Sequence, residues 1–135
     1  MALSAGISTK YYNPENQSKN TIGTTLSVAV WEGGFYAVDT ATGLVVVPAV
    51  NAAYRGIGFA YKNYMSGSTS SVYIRGDEIE ILISGGVAVT AFGAAVHAED
   101  DNTFTLTTTD RPRVGYISRI LNTTTGRVRV RIDPA

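Results

Sequence analysis

The chain is 135 residues long, with 11 Lys plus Arg against 11 Asp plus Glu and no cysteine. A length of this order makes one domain that buries about two thirds of its unfolded surface, so folding needs neither a metal nor a disulfide. The balanced charge excludes a net field toward nucleic acid or membranes, and the missing thiols exclude disulfide and thiolate chemistry.

Residues 1–23 are expected to form an extended N-terminal arm, and residues 24–135 an all-β domain. Met1 to Ile7 is too short, and lacks the basic and apolar stretches, for a secretion signal. The segment from Lys10 to Asn20 is polar, contains Pro14 and shows neither a helical nor a strand period. It reads either as a solvated tail or as an arm that orders on a neighbouring subunit. Tyr11 and Tyr12 favour the arm, because tyrosine offers a large contact area at low entropic cost.

From Thr24 onward the pattern is that of strands and turns. Leu26, Val28 and Val30 alternate with smaller residues, as in a half-buried strand. Strands are expected at Phe35–Val38, Leu44–Val47, Ile57–Tyr61 and Ser71–Arg75, with one short helical turn over Asn51–Tyr54 and a flexible loop over Tyr64–Ser70. Glu78 to Ile83 alternates most cleanly, with Ile79, Ile81 and Ile83 on one face and Glu78 and Glu80 on the other. Ala91, Ala94, Ala95 and Ala98 would tolerate helix between Val89 and Glu99, but the repeat described next argues for strand. Further strands are expected at Thr103–Leu106, Val114–Ser118 and Arg127–Ile132. The longest apolar run, Leu44 to Val50, is interrupted by Pro48 and falls short of the ~18 residues of a membrane span. About ten short strands with regular turns predict a small barrel or sandwich.

The chain says the same thing twice. Val28-Ala29-Val30, Gly34 and Gly43 are followed by Arg55-Gly56-Ile57-Gly58-Phe59; Val87-Ala88-Val89, Gly93 and Asn102 are followed by Arg113-Val114-Gly115-Tyr116. The offset is 59 in the first blocks (Val28 to Val87, Gly34 to Gly93) and 57 in the last (Gly58 to Gly115). Gly43 and Asn102 both suit the left-handed conformation that closes a hairpin loop.

Catalytic vocabulary is sparse. His97 is the single histidine and no nucleophile elbow accompanies it. Glu99-Asp100-Asp101-Asn102 lacks calcium-loop spacing and reads as a solvated hairpin tip. Glu78 and Glu80 lie roughly 7 Å apart along one strand face, without an aromatic cleft around them. Gly56-Ile57-Gly58 lacks the helix a dinucleotide site requires. The arginines carry more. Arg127, Arg129 and Arg131 form a ladder on one strand face, opposite Val128, Val130 and Ile132. Three readings stand: a track for nucleic-acid phosphates, a docking face for an acidic protein, or an internal match to a neighbouring strand bearing Glu78 and Glu80. The third needs only this chain.

The sequence from Leu26-Ser27-Val28-Ala29-Val30 through Gly34-Phe35-Tyr36-Ala37-Val38-Asp39, Gly43-Leu44-Val45-Val46 and Arg55-Gly56-Ile57-Gly58-Phe59-Ala60 resembles the capsid decoration (cement) proteins of tailed bacteriophages. The likeness continues through Gly85-Gly86-Val87-Ala88-Val89, Gly93 to His97, Asn102 to Thr105 and Arg113 to Ile117, and closes on Arg127 to Ile132. It covers about Leu26 to Ile132 and rests on small-residue patterns. The resemblance implies a β-rich knob on the outside of an expanded head, bound at seams between copies of the major capsid protein. It implies no catalysis, no cofactor, no nucleic-acid or membrane partner, and manufacture in the host cytoplasm. It further implies a homo-oligomer, with a trimer favoured over a dimer, and an arm that reaches capsid subunits. The residues then expected at the capsid are Lys10, Tyr11, Tyr12, Asn13, Pro14 and Lys19 of the arm and Arg127, Arg129 and Arg131 of the ladder. The alternative is a phage fibre, tail or receptor-binding β module, for which Trp31, Tyr36, Tyr61, Tyr64 and Tyr73 are the exposed aromatic candidates.

Overall fold

A computed structural model describes residues 2–6, 11–12, 18–22, 29–60, 63, 71–75 and 78–134. It is all-β among these residues, with eleven strands and one 3-10 turn at Val89–Ala91. The strands are β1 (Tyr11–Tyr12), β2 (Ser18–Ile22), β3 (Phe35–Asp39), β4 (Val45–Val46), β5 (Tyr54–Ala60), β6 (Ser71–Arg75), β7 (Glu78–Leu82), β8 (Ala95–Ala98), β9 (Phe104–Thr105), β10 (Arg113–Asn122) and β11 (Arg127–Ile132). Two antiparallel sheets result, in the orders β2-β6-β5-β3-β4 and β1-β7-β11-β10-β8-β9. They share no ladder, so the fold is a sandwich rather than a closed barrel.

Removing β1 leaves two five-stranded sheets of identical order, one from each half of the chain. The repeat therefore extends to hydrogen-bond register. Tyr36 faces Gly58 and Ala37 faces Gly56, with Ile57 bulged out; Val96 faces Gly115 and His97 faces Arg113, with Val114 bulged out. Phe59↔Ile74 and Ala60↔Tyr73 are matched by Tyr116↔Arg131 and Ile117↔Val130, each 57 residues on. Lys19↔Ile74 and Asn20↔Tyr73 are matched by Glu78↔Arg131 and Ile79↔Val130. A bulge kept at one place in both copies belongs to the fold and is no local accident.

The geometry corrects the sequence alignment by one residue. Gly33 N–H bonds to the Ala60 carbonyl at 3.0 Å, and Gly93 N–H bonds to that of Ile117 at 2.9 Å. Gly33 and Gly93 also share positive φ, 83° and 82°, where a side chain is strained. The turn glycines are thus offset by 60, and Gly34 corresponds to Ala94. Asn102 is a second correction, since Asp110 is the one described non-glycine with positive φ. The Asn102 N–H instead bonds to Asp100 Oδ1 at 2.8 Å, which shapes the loop without a left-handed residue. Two further expectations change. Val87 and Ala88 lie outside any strand, and Val89–Ala91 is a 3-10 turn rather than strand; Asn51–Tyr54 forms the single turn expected, with Tyr54 N–H on the Asn51 carbonyl at 3.1 Å. The Tyr64–Ser70 loop lies outside the described residues, as does most of the Leu26–Val30 strand, whose last residue is buried.

Alternation places the core. Ile79, Ile81, Val128, Val130, Ile132, Val96, Ala98 and Ile117 point inward from the second sheet and meet Phe35 and Phe59 from the first. The Phe35 and Phe59 rings stand edge to face at 5.2 Å, and Phe59 lies 5.9 Å from Phe104, which ties the layers together. On the opposite face of the first sheet Tyr36 and Ala60 join Val30 and Val45 in a smaller cluster. The two sheets approach closely at Gly56, where a Cβ would strike the Arg113 carbonyl and come within 2.7 Å of Phe35.

Candidate functional site

The N-terminal segment and the arginine ladder are the surfaces the sequence points to. The structure lays parts of the segment on the domain itself. Tyr11 pairs with Ile79 and Tyr12 with Glu78, so β1 caps the outer edge of β7. Lys19 lies in β2, a full strand of the first sheet and the counterpart of β7. This shifts the boundary: Ser18–Ile22, expected in the arm, belongs to the repeated body. Lys10, Asn13 and Pro14 lie outside the described residues, and the side chains of Tyr11, Tyr12 and Lys19 are likewise not described.

Residues 2–6 make a second attachment that the sequence did not reveal. Asp101 is 1% exposed and takes the Leu3 N–H on Oδ1 at 2.8 Å and the Tyr36 hydroxyl on Oδ2 at 2.7 Å. The same hydroxyl accepts the Trp31 N–H at 3.0 Å. Burial drives the Asp101 carboxyl above its ordinary value, and the bonds from Tyr36 and Leu3 pull it part of the way back. Leu3 fits because its neighbour is glycine: a Cβ on Gly34 would sit 2.9 Å from Leu3 Cδ1. The equivalent position in the other half is Ala94, where no such segment docks among the described residues. Tyr36, expected to be an exposed aromatic, is fully buried, because its hydroxyl has this carboxylate to meet. Trp31 is half-buried; Tyr61, Tyr64 and the side chain of Tyr73 lie outside the described residues.

The ladder lies beside its own counter-charges. Glu80 and Glu78 face Arg129 and Arg131 across the β7–β11 ladder. Arg127 Nε lies 3.7 Å from Glu80 Oε2, and Arg131 Nη2 lies 3.7 Å from Glu78 Oε1. Of the three readings of the ladder, the internal match is the one found. These contacts also separate the carboxylates onto different arginines, unlike a pair set up for general acid–base work. Arg119 stands opposite Arg129 on the other side, so this face holds four arginines to two glutamates among the described residues. Like charges placed directly opposite cost free energy.

The acidic run divides rather than converging. Asp101 turns inward to Tyr36, while Asp100 Oδ2 takes the Thr103 hydroxyl at 3.0 Å and Glu99 lies 3.8 Å from Arg111. His97 lies on the face of β8 opposite Val96 and Ala98 and lines a cavity of about 240 Å³ with Arg55, Arg111 and Arg113. Burial, then Arg113 and Arg111, push the imidazole below its ordinary value. Compared with protein-family models the sequence finds no match, and a comparison with curated proteins finds none either.

Proposed function

We propose that this chain is a capsid decoration protein of a tailed bacteriophage, held on the outer surface of the expanded head at seams between major capsid subunits. Its work is mass action. A protein that binds the joined subunits better than the separated ones stabilises the joined state, with no chemical step. The observation that carries the reading is that the N-terminal segment lies on a sheet edge: among the described residues it adds a two-residue strand to the outside of β7 and a backbone bond from Leu3 to Asp101. Edge-strand bonds are interchangeable between chains, because any extended backbone can supply them. The segment can therefore leave its own domain for a neighbour's edge while the ten-strand body stays folded.

The test uses expanded heads built from the major capsid subunit of the phage that carries this gene. The full chain is expected to co-sediment with the heads at saturable occupancy, to raise their disruption temperature, and to run as a homo-oligomer, a trimer, in light scattering. A chain lacking residues 1–17 keeps β2 and is expected to fold yet bind heads at least tenfold more weakly. Truncation through Asn20 would be a poor test, because it cuts into β2. Failure of the full chain to bind would remove the proposal; full occupancy by the truncated chain would remove the arm from it.

A further inference from the structure

The duplication builds a cavity where its two halves meet, and the chemistry there is one-sided. Tyr54-Arg55-Gly56, the start of β5, lines one part; Arg111-Pro112-Arg113, at the same point 57 residues later, lines another. The cavity of about 240 Å³ thus lies between equivalent segments of the two copies, brought together where Gly56 abuts the Arg113 carbonyl. His97, 9% exposed, completes the wall. The copies have diverged here in one direction. The first half has Ala37 and Gly56 where the second has His97 and Arg113.

We propose that this cavity is an oxyanion site, which takes a single carboxylate or phosphate group between His97, Arg111 and Arg113, with Arg55 at its mouth. Two observations support it independently of the decoration reading. The first is unmet hydrogen bonding. His97 Nδ1 and Arg111 Nε are both buried and have no hydrogen-bond partner among the described residues. Arg111 Nε is a donor whose ion-pair partner Glu99 lies at 3.8 Å, beyond hydrogen-bond length, and His97 Nδ1 is a donor when the ring is protonated or carries its hydrogen there, so the oxygens of one oxyanion would serve both nitrogens. The second is charge. Arg55, Arg111 and Arg113 line the site, and two carboxylates pair with them from its edge, Glu99 at 3.8 Å from Arg111 and Asp133 at 3.8 Å from Arg113, which leaves three guanidinium groups to two carboxylates among the described residues. Arg113 spends its Nε on the Asp133 carbonyl at 3.1 Å, and Arg55 one Nη on the Ala52 carbonyl at 2.7 Å. Each guanidinium retains further N–H groups for a ligand.

The single histidine makes the test direct, because its ring resonances need no assignment. NMR titration of the full chain against pH, with and without inorganic phosphate, reads the His97 pKa. Bound phosphate offsets the arginines and supports the imidazolium, so the pKa is expected to rise by about one unit or more at saturation. Potassium chloride at matched ionic strength is expected to move it far less. N-acetylglutamate amide presents a carboxylate on a short stem. Binding of either probe upholds the site, and the tighter of the two assigns it to a free phosphate or to a protein carboxylate. Arg113→Gln is expected to weaken the phosphate response at least tenfold; should that variant not fold, Arg55→Gln at the exposed mouth serves, with a smaller loss. A shift equal to that in chloride, or one that persists unchanged in the arginine variants, overturns the proposal.

Discussion

Replacing Tyr36 by Phe removes one oxygen and nothing else, at a position with no solvent access. That oxygen donates to Asp101 Oδ2 at 2.7 Å and accepts from the Trp31 N–H at 3.0 Å. No water reaches the ring, so neither partner is resolvated by the change. A hydrogen bond to a charged group contributes about 1.5–3 kcal/mol and a stranded backbone donor costs about 1–3 kcal/mol, so a loss of about 3 kcal/mol is expected. For a chain of this length that corresponds to a fall of about 10–15 °C in Tm. Urea denaturation, with the slope m compared between variants, separates a stability change from a change in compactness. A double-mutant cycle with Asp101→Asn should return a coupling of about 1–2 kcal/mol, because the two residues share one hydrogen bond. A Tyr36→Phe loss below about 0.5 kcal/mol, or no coupling to Asp101, would refute the view that this bond locks the two halves and the N-terminal segment together.

Further outcomes follow from the same structure. Gly33→Ala and Gly93→Ala place a Cβ at equivalent positive-φ turns, and each should cost about 1–2 kcal/mol of unfolding free energy; a large difference between them would contradict the register of the repeat. Asp101 has its folded-state pKa above the ordinary 3.8, so its protonation favours folding: that contribution is complete below 3.8 and lost as pH rises through the folded value. The stability of the native chain minus that of Asp101→Asn, from denaturation midpoints, should therefore grow on acidification above pH 3.8; a flat difference curve would rule this out. Arg127→Met should cost less than about 1 kcal/mol in the same assay, since its partner lies at 3.7 Å and its own side chain is 52% exposed.

Much of this fold is legible because strand alternation is a local signal. Glu78 to Ile83 and Arg127 to Ile132 announce their inner and outer faces, and their charges announce each other. The repeat is legible too, but letter matching joins Gly34 to Gly93, whereas the hydrogen bonds join Gly33 to Gly93. Shared backbone conformation, which letters do not carry, decides the alignment. β2 escapes notice because Ser18-Lys19-Asn20-Thr21-Ile22 has no apolar alternation; its pairing with β6, about fifty residues away, makes it a strand. The burial of Tyr36 and Asp101 is hidden for the same reason, since they meet across 65 residues of chain. The arginine and histidine cluster could be suspected once the repeat is set at offset 57, which superposes Tyr54-Arg55-Gly56 on Arg111-Pro112-Arg113. Its concavity comes from packing alone.

The two-residue strand β1, at the edge of its sheet, has a consequence out of proportion to its length. Joined through the same chain to the body it caps, β1 competes for the β7 edge as an intramolecular partner, at an effective concentration of about the millimolar range. In dilute solution no other chain matches that, and the cap stays at home. On the proposed capsid lattice, the edge of a neighbouring copy would compete at a similar local concentration. Geometry then chooses the partner, and two residues present too small a barrier to delay the exchange.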